Sequence, residues 1–168
     1  MHLPRYDHYT NASKTVFEFV SEGPKGRIRK LVEYVPVDAN DIYNLGFGDA
    51  SDSEVLYDHM IVSNNGDSVK VLATVAATVY EFTDRYPKAA VLATGSTRSR
   101  TRLYRMSITR HLREIREQFV IFGYCRSNYW EEFNKEKDYE VFLLTRIENG
   151  KELWLELKTI NLIIKTAE

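Results

Sequence analysis

Arg98, Arg102 and Arg105 follow one another at steps of four and three residues, directly after a Gly95-Ser96-Thr97 turn. On a helix that spacing stacks the three guanidiniums on one side. Arginine's planar fork suits two-point contact with phosphate or carboxylate. The turn adds two hydroxyls and the unsatisfied N–H groups of a helix start, where the helix dipole is positive. With Arg100 included, the expected anion contacts are Ser96, Thr97, Arg98, Arg100, Arg102 and Arg105. Arg98, Arg102 and Arg105 supply the charged fork, and Ser96 and Thr97 the helix-end hydrogen bonds.

The stripe continues in register through Thr109, Arg113 and Arg116, within an arc of about 80°. Tyr104, Ile108, Leu112 and Ile115 form a separate apolar arc, so the sequence predicts one helix over about Thr97–Glu117 with a buried face and a basic face. The formal net charge of −1 conceals a segregation. Leu31–Val69 carries eight acids (Glu33, Asp38, Asp41, Asp49, Asp52, Glu54, Asp58 and Asp67) and no lysine or arginine. Arg85–Arg116 carries nine bases and one acid, Glu114. Two uses of the arginines stand side by side: an external anion, or ion pairs with the acidic 38–58 segment.

Other chemistry is sparse. There is no P-loop, GxGxxG, HExxH or GxSxG pattern, and His2, His8, His59 and His111 are too dispersed for a metal site. One cysteine, Cys125, allows no internal disulfide and reads as strand packing in a reducing compartment. His59 beside Asp58 lacks a second partner and reads as a surface or capping residue. No cofactor and no metal are expected. With 43% hydrophobic and 28% charged residues the chain is expected to be globular, and no apolar run approaches the length of a membrane span.

The elements that must position the stripe are legible from periodicity. Residues 1–12 read as a loose N-terminal arm. Thr15–Ser21 and Arg27–Val35 alternate and form a hairpin around Gly23-Pro24-Lys25-Gly26. Asp41–Gly48 is a third strand. Asn64–Ser68 supplies turn and capping chemistry for a helix with Val69, Leu72, Val75, Ala76, Val79 and Phe82 inward and Lys70, Thr74, Thr78, Glu81 and Arg85 outward, stopped by Pro87. Lys88–Thr94 is a buried strand, and Gln118–Cys125 and Tyr139–Ile147 are two more. Glu148-Asn149-Gly150-Lys151 signals a hairpin turn, with Glu152–Lys165 closing the sheet as a strand or a helix. The expected fold is a single α+β domain over 1–168: a mixed sheet in the order β-β-β-α-β-α-β, a C-terminal hairpin or mixed element over 148–168, and helices packed on the sheet.

That order is shared, as fold analogy, with ribonuclease-H-like nucleases, whose carboxylates converge on two metal ions. Glu18 and Glu81 are the nominated pair here, but Ala93-Thr94-Gly95 stands where a further acid is needed. The sequence therefore points away from an enzyme, with a degenerate nuclease kept as an alternative.

Several stretches resemble a family of small bacterial proteins defined only as a domain of unknown function. They are Ser21–Gly26, Ile42–Asp49 (IYNLGFGD), Val62–Tyr86 (VSNNGDSVKVLATVAATVYEFTDRY) and Gly95–Ile108 (GSTRSRTRLYRMSI). Weaker echoes are Phe122-Gly123-Tyr124 and Tyr139–Leu144, and the likeness spans Val16–Arg146. The resemblance implies a bacterial cytoplasmic protein of this fold and no particular activity. The leading expectation is a non-enzymatic binding module for an anionic partner, either nucleic acid or a phosphorylated ligand. A protein-interaction role in a toxin–antitoxin or defence operon is the other, with the acidic 38–58 segment meeting a basic partner or a second copy.

Overall fold

A computed structural model describes residues 3–37, 40–50 and 64–167. The α+β class is the one observed, and the chain divides into two compact units: 1–39 with 43–86, and 40–42 with 87–168. Asp38, Asp52, Glu54 and Asp58, four of the six acids of the 38–58 segment, lie outside the described residues, as do the histidines His2 and His59.

The first unit is an antiparallel meander of β1 (His8–Thr10), β2 (Val16–Gly23), β3 (Gly26–Pro36) and β4 (Ile42–Asp49), carrying helix α1 (Ser68–Arg85). The β2–β3 hairpin closes with Gly23 opposite Gly26, where the sequence places it. Strand alternation puts Phe17 and Phe19 inward and fully buried, and Glu18 on the other face. Phe82 of α1 stacks on Tyr34 of β3 with ring centroids 4.0 Å apart and planes within 5°. The Tyr34 hydroxyl shares a 2.8 Å hydrogen bond with Thr78 Oγ1, and burial pushes this phenol far above its ordinary range.

Two expectations fail in this unit. The arm is tied down: His8–Thr10 pairs with β2, the Tyr6 ring stacks on Phe19, and Tyr6 OH donates to Asp67 Oδ2 at 2.7 Å. The inward face of α1 is also rotated from the expected one. Thr74 and Thr78, assigned outward, are fully buried, while Val69, assigned inward, is 49% exposed. The cause is local: Thr74 Oγ1 donates to Lys70 O at 2.8 Å and Thr78 Oγ1 to Val75 O at 2.7 Å. A threonine whose hydroxyl bonds its own helix presents a methyl group to the core and behaves as a small apolar residue.

The NNGD motif is a lock more than a cap. Asp67 occupies the position before α1 but makes no side-chain cap bond; its carboxylate accepts instead from Ser21 Oγ (2.6 Å) and Tyr6 OH. Asn65, 2% exposed, donates from Nδ2 to Gly26 O (2.9 Å) and Ser21 Oγ (3.1 Å) and accepts from Lys25 N (2.8 Å). It thereby satisfies the hairpin turn from the far side of the chain.

The second unit contains β5 (Ala90–Ala93), α2 (Arg98–Arg110), α3 (Leu112–Ile115), β6 (Phe119–Cys125), β7 (Tyr129–Glu132), β8 (Val141–Arg146), a 3-10 turn (Ile147–Asn149) and α4 (Gly150–Ala167). Its strands lie in the order β5-β8-β6-β7, each pair antiparallel. Of the strand and helix readings open for Glu152–Lys165, the structure has the helix, and the hairpin turn signalled at 148–151 does not form. Gly150 sits in the right-handed helical region, and Leu153 and Leu157, four apart, join Ala90, Phe122 and Leu143 in the core. Trp154 stacks on Phe122 at 5.5 Å. The short strand β7 was not expected; Asn128, at φ 61°, turns the chain from β6 into it.

Candidate anion-binding cleft

The register of the second unit brings three distant stretches to one end of its sheet. Ala93 pairs with Phe142 and Tyr124 with Val141, so the chain leaving β5, the chain leaving β6 and the chain entering β8 meet there. They enclose an open cleft of about 490 Å³. Its floor and one wall are Thr94–Arg98, Thr101, Arg102 and Arg105; the opposite wall is Arg126 with Asp138, Tyr139 and Glu140.

Gly95 permits the tight entry into α2. A Cβ there would stand 2.3 Å from Thr101 N and 2.7 Å from Thr101 Oγ1, so the turn folds directly against the first helical turn. Thr97, extended at φ −137°, is the N-cap, and its Oγ1 accepts from Arg100 N at 3.3 Å. The remaining first-turn N–H groups have no partner within the helix.

The six expected contacts separate into different roles. Ser96, Thr97, Arg98, Arg102 and Arg105 line the cleft. Arg100 is turned back to the Ser96 hydroxyl and is absent from the lining. Arg105 braces the opposite wall, donating from Nη1 to Lys137 O (3.0 Å) and pairing with Asp138, its Nη1 3.1 Å from Oδ1. Arg126 is 3.5 Å from Glu140 Oε1. Arg98 and Arg102 are exposed, and among the described residues neither has a carboxylate within ion-pair distance. Among the described residues each cleft acid is thus matched by an arginine, and two guanidiniums remain in excess.

The expected single helix to Glu117 is broken at His111 (φ −110°, ψ 15°). No residue of α2 is buried, whereas α3 delivers Ile115 into the core, and the change of axis allows both. The basic stripe ends with it: Arg116 donates to Phe133 O at 3.0 Å, and neither Arg113 nor Arg116 reaches the cleft.

Residues that the periodicity gave no reason to choose form the far wall. Tyr139 is 5% exposed; its hydroxyl donates to Glu131 Oε1 at 2.6 Å and accepts from Asn134 N at 2.9 Å. Lys137 Nζ reaches Glu131 Oε2 at 2.9 Å. Partial burial works against the Glu131 charge, but these two donors hold its carboxyl below the ordinary range. The only advance signal was the charge-rich Asn134–Glu140 turn between two strands.

Glu18 and Glu81 are not brought together. Glu18 lies on the sheet face opposite Phe17 and is bound by Arg29, with Nε donating at 2.8 Å and Nη2 at 3.2 Å. Glu81 accepts from the His8 ring at 2.8 Å and lies 3.1 Å from Lys14 Nζ, on the face carrying α1. No group of three or more His, Cys, Asp or Glu among the described residues is placed to hold a metal ion. Cys125 is buried, and desolvation raises its thiol pKa.

The His8 hydrogen bond, against partial desolvation, holds the Glu81 carboxyl below its ordinary value of 4.5. A depressed carboxylate stabilises the fold above its unfolded pKa and loses that contribution as pH falls through the folded one. Glu81→Gln is therefore expected to cost about 1 kcal/mol at pH 7 and nothing at pH 2. Urea midpoints at both pH values check this; an equal loss at the two would remove the electrostatic account.

No described helix is long and apolar enough to cross a membrane. Neither the curated proteins nor the solved structures contain a match to this chain. A family profile does match, over residues 2–147, which include both units' sheets and the whole cleft but not α4. The chain belongs to DUF6934, a family of unknown function.

Proposed function

We propose that this protein is a non-enzymatic binding module that holds an anionic ligand, a phosphorylated small molecule or a nucleic-acid phosphate, in the cleft at the start of α2. One observation carries the reading: Arg98 and Arg102, without carboxylate partners among the described residues, share a cleft of about 490 Å³ with an open helix N-terminus. That volume is within the range of small-ligand sites. Two guanidiniums and helix-end N–H groups converge on a negative charge that the described residues do not supply. Arg105, Arg126 and their acids set the width of the cleft, so the recognition falls to Arg98, Arg102 and the Gly95-Ser96-Thr97 turn.

Calorimetry with phosphorylated sugars, nucleotides and short single- and double-stranded DNA and RNA at two salt concentrations tests this. Arg98→Ala/Arg102→Ala is expected to weaken binding by at least about 100-fold, since each charge-assisted contact contributes about 1.5–3 kcal/mol. For a nucleic-acid ligand, two neutralised phosphates give a slope of log K against log salt of about −1.8. A phosphorylated metabolite would bind with the cleft charges but without preference for chain length. Binding that survives the double substitution, or no binding by the native chain to any of these anions, sinks the proposal.

A further inference from the structure

Helix α4 is fixed on one side and bare on the other. Leu153 and Leu157 are buried, and the Asn161 amide clamps the edge strand β7: Oδ1 accepts from Trp130 N at 2.7 Å and Nδ2 donates to Trp130 O at 2.8 Å. These contacts orient the helix about its own axis. Leu155, Leu162 and Ile163 are left 64%, 65% and 62% exposed.

At 100° per residue Leu155, Thr159, Leu162 and Thr166 fall within an arc of about 60°, opposite the buried pair. The stripe repeats at seven residues, the spacing of a helix–helix seam. Its edges carry opposite charge. Lys151, Lys158 and Lys165, also seven apart, run along one edge, while Glu152 and Glu156, then Ile163, run along the other.

We infer that α4 is a homodimer face, which pairs in parallel with α4 of a second copy of this chain through the Leu155–Leu162 stripe. The charge pattern selects both the partner and the direction. In a parallel pair related by a two-fold axis along the seam, the lysine edge of each helix faces the glutamate edge of the other, with Lys151 against the second copy's Glu156. The aliphatic stem of Lys158 then covers the second copy's Ile163. An antiparallel pair sets lysine edge against lysine edge and is disfavoured. The seam is only two heptads long, so the dimer dissociates in the micromolar range. This inference does not depend on the cleft's ligand.

Sedimentation of the full chain from about 1 to 200 μM, a range set by that small interface, is expected to show the mass rising from 19.6 kDa toward twice that value. Leu155→Glu/Leu162→Glu, at exposed positions, is expected to remain monomeric throughout with unchanged circular dichroism. Lys151→Glu and Glu156→Lys are each expected to weaken the dimer by about fivefold, and an equimolar mixture of the two to restore it. Leu155→Cys alone should oxidise to a covalent dimer, since parallel pairing sets each Leu155 against its own counterpart and Cys125 is buried. A native chain that stays monomeric at the highest concentration overturns the inference. So does crosslinking that occurs only between Leu155→Cys and Leu162→Cys chains, which would mean antiparallel pairing.

Discussion

Phe82→Ala is expected to destabilise the protein by about 3–5 kcal/mol, the range for removing a buried phenylalanine ring. Phe82 is fully buried, and its ring is in contact with three others: Tyr34 stacked at 4.0 Å, Tyr43 edge-on at 5.0 Å and Tyr86 tilted at 5.0 Å. Cavity formation adds to the lost transfer energy because two of those neighbours are restrained. Tyr34 OH is held by Thr78, and Tyr86 OH donates to Ser13 O at 2.8 Å. Collapse into the space would break those bonds. Phe82→Leu keeps most of the volume and loses the ring stacking, so its expected cost is smaller, about 1–2 kcal/mol. Urea denaturation of the two variants gives both figures. A Phe82→Ala loss below about 1 kcal/mol would mean that the aromatic cluster is not the centre of this unit.

Gly123→Ala is expected to cost about 3 kcal/mol, the upper end for overpacking, and to disturb the cleft wall at Asp138–Glu140. A Cβ at Gly123 would stand 2.3 Å from Tyr139 Cδ1 and 2.5 Å from Cγ. The ring cannot swing aside cheaply, because its hydroxyl is bound to Glu131 and Asn134 N and it packs tilted against Phe133 and edge-to-face with Phe142. Tyr139 also lines the cleft, so a displaced ring moves the wall that carries Asp138 and Glu140. Tyr139→Leu in the Gly123→Ala background should cost less than the two changes summed, since the clash disappears with the ring. Strict additivity would exclude steric coupling between the two positions.

The fold was readable wherever a local period carries it. Phe17 and Phe19 flank Glu18 as Val32 and Tyr34 flank Glu33, and the hairpin between them needed only its Gly-Pro-Lys-Gly turn. The limits of α1 followed from the turn before Ser68 and from Pro87. Its inward face did not, because hydropathy counts a threonine as polar and cannot see Thr74 and Thr78 returning their hydroxyls to the helix. The Asn-Gly signal at 149–150 was equally local and misleading. Asn149 Nδ2 donates to Pro87 O at 2.8 Å, and Leu153 and Leu157 find a core only on a helix.

The cleft divides in the same way. By itself the sequence determined that Ser96, Thr97, Arg98, Arg102 and Arg105 share one end and one face of a helix, because 3.6 residues per turn leaves no other outcome. Only the tertiary structure decided which of those charges remain available. Arg105 is taken by Asp138 and Arg126 stands beside Glu140, through pairings of β8 with β5 and β6 that bring distant stretches of the chain to one end of the sheet. Ion pairing depends on distances across the fold, and periodicity along the chain carries no information about those distances.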